Sequence, residues 1–214
     1  MDEFVTIMQD ETAEIVEKKS KFIANICYVE NSQQAEEKIK SIKKKYYDAK
    51  HHCMAYRVIE DNQITERSSD DGEPSGTAGA PMLKILQKNN LCNVLIVVTR
   101  YFGGILLGTG GLVRAYSEAT QKVLETITLV EKIQGIEINI KIDYANLDVF
   151  KYYCKNNNIN IVNIEYADDI ILKIEMEKNR KNIFLTDIET KTLKIKEIQG
   201  FEEKYINKTV EKNK

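Results

Sequence analysis

Apolar and polar positions alternate along the chain with two different periods. Ile136, Ile138, Ile140 and Ile142 are separated by single residues, the period of a half-buried strand. Leu147, Phe150 and Cys154 recur at helical spacing, predicting a helix over 144–157 that Asn156-Asn157-Asn158 stops. Residues 159–166 read as a strand, Asp168-Asp169 as a turn, and 170–177 alternate again. A short helix over 181–190 places Phe184, Leu185 and Ile188 on its apolar face, and 193–205 close as a strand. The order β-α-β-β-α-β is the ferredoxin-like split unit. The polar end, 207–214, is expected to fray.

The first half is mixed as well. Residues 12–17 and 22–29 predict paired strands. Asn31 is placed to cap a helix reaching Lys45, with Ala35, Ile39 and Ile42 turned inward. Residues 52–59 read as a strand and 62–78 as a long polar loop. Pro81 suits the first turn of a helix ending near Lys88. Residues 94–101 read as a buried strand. A long helix follows over 109–127, with Leu112, Val113, Tyr116, Val123, Leu124 and Ile127 on its apolar stripe. The pattern therefore predicts an α+β protein of two domains, over 1–129 and 134–206.

Composition narrows the function class. Of 214 residues, 43% are apolar and 30% charged, enough for packed cores and too apolar for wholesale disorder. The strongest apolar run, 94–98, falls far short of the ~20 residues of a membrane span, and Met1-Asp2-Glu3 lacks a secretory pattern. The expectation is a soluble cytoplasmic protein with no membrane partner. Cys27, Cys53, Cys92 and Cys154 contain no C-x-x-C pair, so neither a disulfide framework nor a zinc ribbon is expected. Net charge is −2, so any nucleic-acid contact must be a local patch, and no DNA sequence specificity is expected.

Four segments can carry chemistry. Eight of the ten glycines and both prolines lie between residues 72 and 111. Within that stretch a strand ends, a glycine-rich loop follows and a helix begins, the arrangement of a helix-start anion site. Its candidates are Arg100, Gly103, Gly104, Gly108, Thr109, Gly110, Gly111 and Arg114. The Walker pattern fails because Thr109, not Lys, follows Gly108; a dinucleotide fingerprint fails because Val113 stands where its last glycine belongs. A bound anion and a tight structural turn both remain open.

The second segment holds Asp70, Asp71, Glu73 and Ser75. These carboxylates can bind a hard cation, accept bonds from loop amides, or pair with Arg100 and Arg114; no known metal-loop spacing matches, so no metal is expected. The third holds both histidines: on a strand, His51 and Cys53 share a face, beside Asp48 and Tyr56. A packed thiol with a hydrogen-bonded histidine is the plain alternative to catalysis there. The fourth is a basic run with one acid, Asp48; Lys43, Lys44, Lys45, Lys50 and Arg57 are its candidate phosphate contacts.

Together these segments resemble the IMPACT family, which includes bacterial YigZ-like proteins. The matching stretches are Lys19-Ser20-Lys21-Phe22, Asp48 to Tyr56, Ser69 to Gly79 and Thr99 to Tyr116. The resemblance implies an N-terminal domain like the second domain of ribosomal protein S5. It also implies a C-terminal ferredoxin-like domain similar to the last domain of the translocating elongation factor. Eukaryotic relatives act in translational control through an additional N-terminal domain; for the bacterial type no reaction is implied. The expectation is a non-enzymatic regulator or binding module that contacts RNA or a ribosome-associated protein, with no cofactor. The alternative is a phosphate-ligand enzyme or sensor built on loop 103–111.

Overall fold

The computed structural model describes residues 3–61 and 63–208, and the chain divides into two compact units, one over Glu3–Val130 and one from Glu131 onward. In the first unit a short strand β1 (Glu3–Ile7) is followed by β2 (Glu11–Glu17), β3 (Ser20–Tyr28), α1 (Ser32–Lys45), β4 (His51–Glu60) and β5 (Gln63–Ser69). Then come α2 (Gly79–Lys88), β6 (Val94–Tyr101) and α3 (Gly108–Leu124). Its main sheet has the order β2-β3-β6-β4-β5, and every neighbouring pair is antiparallel.

Helices cover both faces of this sheet. Ala35, Ile39 and Ile42 of α1 pack with Cys27, Met54, Tyr56, Val58, Leu95 and Val97 on one face. Met82 and Leu86 of α2 and Leu112, Ala115, Tyr116 and Ala119 of α3 pack on the other, with Phe22, Ala24, Cys53, Ala55 and Ile96. Asn31 caps α1 as its position predicts: its side chain accepts from the Gln34 N–H at 2.9 Å.

The polar loop expected over 62–78 is half wrong. Residues 63–69 form β5, paired with β4 from Met54↔Ser69 to Glu60↔Gln63. β5 is a sheet edge, so exposed Glu66 and Arg67 belong on it, and an edge strand of that kind reads as a loop. β1 also escaped the pattern, being five residues long. α3 ends at Leu124, short of the expected Ile127.

The second unit is built from β7 (Leu129–Ile142), α4 (Leu147–Asn156), β8 (Asn160–Tyr166), β9 (Ile170–Glu177), α5 (Lys181–Glu189) and β10 (Glu197–Asn207). Its strands lie in the order β10-β7-β9-β8, all antiparallel, which is the ferredoxin-like 4-1-3-2 arrangement. Ile136, Ile138, Ile140 and Ile142 face Phe150, Cys154 and Phe184 across one core. Three boundaries differ from the sequence pattern by three residues or more, the first being β7, which begins at Leu129 rather than Ile136. Tyr144–Asn146 is a 3-10 turn before α4, and the closing strand starts at Glu197 rather than Leu193, whose side chain is instead in the core. Of the end expected to fray, Asn207 lies in β10 opposite Lys132, and 209–214 lie outside the described residues.

Candidate functional site

One end of the N-terminal sheet gathers the chemistry-bearing segments. In register, Arg100 at the end of β6 lies between Phe22 of β3 and His51 of β4, and Lys21 faces Tyr101. The loop after β5 and the loop after β6 both depart from this end.

The acidic loop is consumed by the fold. Asp70 accepts from the N–H groups of Gly76 (2.8 Å), Ala78 (3.0 Å) and Gly79 (2.8 Å), so its carboxylate caps the start of α2 from eight residues away. Partial burial opposes its ionisation, but these three donors prevail and hold the carboxyl below its usual range. Gly79 is required here, because a Cβ would stand 2.7 Å from the Ser69 nitrogen. Asp71 accepts from the His52 N–H at 2.7 Å and from Lys43 Nζ at 2.8 Å. Burial again opposes its charge, and the Lys43 and His52 donors outweigh it, so this carboxyl is also lowered. The Asp71 carbonyl lies 3.0 Å from His51 Nδ1. Glu73 pairs with Arg100 at 2.7 Å and accepts from the Tyr116 hydroxyl at 2.8 Å. Ser75 is exposed.

Several expected contacts therefore need correcting. Arg100 is no open anion ligand: it is 7% exposed, bound to Glu73, and its guanidinium lies near the rings of Phe22 and Phe102 (5.5 and 5.6 Å). Arg57 is no phosphate contact: it is buried, pairs with Glu66 at 2.7 Å and donates to the Leu91 carbonyl at 2.9 Å. Tyr56 is a core residue beneath α1. The Cys53 thiol donates to the Asp70 carbonyl at 3.0 Å, and burial pushes it up to about 12, so it is not a nucleophile at neutral pH. Asp48 accepts from the Tyr101 hydroxyl at 2.7 Å.

Other candidates face solvent. Lys44, Lys45 and Lys50 are exposed at the end of α1, and Tyr47 between them is 84% exposed. Lys45 Nζ lies 5.0 Å from the Tyr46 ring. Lys43 shares this end but is tied to Asp71. On the opposite face of the sheet, Gly104, Gly108, Thr109, Gly110 and Arg114 are exposed. Leu107 precedes α3 without a side-chain cap, and the first turn carries no acid.

Gly103 has a different task. A Cβ there would fall 2.0 Å from the Lys19 carbonyl carbon, and its N–H donates to Ser20 Oγ at 3.1 Å. The loop after β6 is thereby locked onto the β2–β3 turn. That turn, and the exposed Phe102, Ile105 and Leu106, were not singled out from the sequence as functional. The signal was available: an apolar triplet, Ile105-Leu106-Leu107, stands between glycines where a loop should be polar.

Comparison with known proteins places these segments in a family. The Impact N-terminal domain model matches residues 18–124, and the domain of unknown function DUF1949 matches residues 140–192. IMPACT family member YvyE of Bacillus subtilis is 38% identical over 181 residues, covering 85% of this chain and 83% of that protein. IMPACT family member YigZ of Escherichia coli is 34% identical over 160 residues, covering 74% and 78%. The crystal structure of a hypothetical protein superimposes with a TM-score of 0.63 at 31% identity, covering 91% of this chain and 97% of that one. By its glycine-rich loops, its two-domain α+β architecture and these matches, the chain belongs to the IMPACT family.

Proposed function

We propose that this protein is a non-enzymatic binding module linked to translation, and that it contacts RNA through the end of α1. Family membership supports the translation setting. The observation that carries the RNA contact is the run Lys44, Lys45, Tyr47 and Lys50, four exposed residues whose three lysines form no ion pair within 4 Å among the described residues. Cations interleaved with an open aromatic ring suit a phosphate backbone with unstacked bases. The non-enzymatic reading draws support from the same end of the sheet: Asp70, Asp71, Glu73, Arg100 and Cys53 are all engaged by the fold itself.

Anisotropy of a labelled single-stranded RNA, measured at 50 and 200 mM salt, tests this. Three phosphate contacts give a log–log slope of about −2, roughly a twentyfold loss of affinity between those concentrations. Lys44→Glu with Lys50→Glu is expected to weaken binding and flatten the slope. A flat salt response in the unaltered protein, or binding indifferent to both substitutions, removes the RNA reading.

A further inference from the structure

We propose that the loop after β6 is a preformed docking finger for an acidic, apolar peptide segment of a partner protein. Leu106 is 83% exposed, Phe102 56% and Ile105 42%, three large apolar side chains within five residues. Exposure on this scale in one loop marks an interaction surface rather than scattered surface leucines. The finger is held in place: Gly103 is seated on Lys19 and Ser20, and the Phe102 ring lies 5.6 Å from the Arg100 guanidinium. Such pre-ordering lowers the entropy cost of binding.

Charge defines the partner. Lys18 and Lys19 lie on the β2–β3 turn onto which the finger is locked, and Arg114 follows it in α3; all three are exposed and without an ion pair within 4 Å among the described residues. The neighbouring acids Glu17 and Glu118 form no ion pair with them. Gly110 and Arg114 share one face of α3, which adds the positive end of the helix dipole on the same side. An apolar centre with a cationic rim is complementary to a segment of leucine or aromatic anchors flanked by aspartate or glutamate.

Other surfaces fit less well. Ile105 and Leu106 are aliphatic and offer no ring for bases to stack on, unlike a nucleic-acid platform. Lipid recognition by charge rests on clusters of about four to eight cations; this rim has three, on a chain of net charge −2. The finger uses no residue of the α1 patch, so its fate is separate from that of the RNA reading.

The test is selection of the full chain against a phage-displayed library of random short peptides. The expected enriched sequences combine acidic residues with leucine or aromatic anchors. Leu106→Ser, and Lys18→Glu with Lys19→Glu, are each expected to weaken those peptides by at least about tenfold, while Lys44→Glu with Lys50→Glu leaves them unchanged. The unfolding midpoint of each variant reports that the fold is intact. No enrichment, enriched peptides without acids, or affinity indifferent to Leu106→Ser overturns the proposal. So does Leu106-dependent binding to phosphatidylserine vesicles or to RNA in place of peptide.

Discussion

Arg100 and Glu73 meet at 2.7 Å with side chains only 7% and 4% exposed, and the Tyr116 hydroxyl donates to the same glutamate oxygen. The pair fastens the loop after β5 to the end of the central strand β6. Tyr116 brings α3 to the same point, its ring packing edge-on against Phe22 at 5.2 Å.

Removing one partner strands a buried charge. Glu73→Ala is expected to cost about 3–5 kcal/mol in urea unfolding, whereas Glu73→Leu with Arg100→Met together should cost far less. A single-variant loss under about 1 kcal/mol would mean that the pair is hydrated rather than sealed.

Gly103 in the loop after β6 and Gly110 in the first turn of α3 should behave oppositely. Gly103→Ala forces a Cβ into the Lys19 backbone, so it should destabilise by about 1–3 kcal/mol or more. Gly110 has open space around the same position and sits in a helix, so Gly110→Ala should stabilise by up to about 1 kcal/mol. Thermal unfolding of both variants checks the contrast.

Acid should unfasten the loop after β5. Asp70 and Asp71 both titrate lower in the folded chain than an ordinary aspartate. The unfolded state therefore binds their protons first. Their contribution is complete above the unfolded value near 4, declines as pH falls toward the folded values, and is absent below them. Asp70→Asn should lower stability at pH 7 by about 1–2 kcal/mol and flatten the acid limb of stability against pH. An unchanged acid limb would exclude the carboxylate cap.

Much of this was legible because hydrophobic period and burial coincide. Ile170, Leu172, Ile174 and Met176 alternate in sequence and are the buried positions of β9. Asn31 announced the start of α1 because its chemistry is local. The same logic fails where both faces of a strand are covered. Tyr56 and Arg57 point into opposite layers of a sheet with helices on each side, so a strand beside lysines looked like surface. Two of the alternatives open for the acidic loop match the structure in part: Asp70 accepts from loop amides and Glu73 pairs with Arg100, while Arg114 forms no ion pair with these carboxylates. Choosing among them required knowing that β6 ends beneath that loop. Contacts between residues far apart in sequence leave no periodic trace.

The β2–β3 turn separates stability from function. Glu17 and Ser20 are paired across a two-residue loop, Lys18-Lys19, with φ of +45° and +63°. Two positive φ values are the mark of a type I′ turn, which strongly favours Asn-Gly, and lysine is strained there. A turn chosen for folding alone would not place lysine at both positions. Lys18→Asn with Lys19→Gly should therefore raise stability, by about 0.5–1 kcal/mol for relief at each position. The same change removes both cations of the turn onto which the Phe102–Leu106 loop is locked, so it should weaken an acidic peptide bound at the finger. Unfolding and peptide titration on that one variant give opposite signs if these lysines serve recognition. A loss of stability would show instead that the lysine side chains support the turn, and unchanged peptide affinity would remove them from the docking surface.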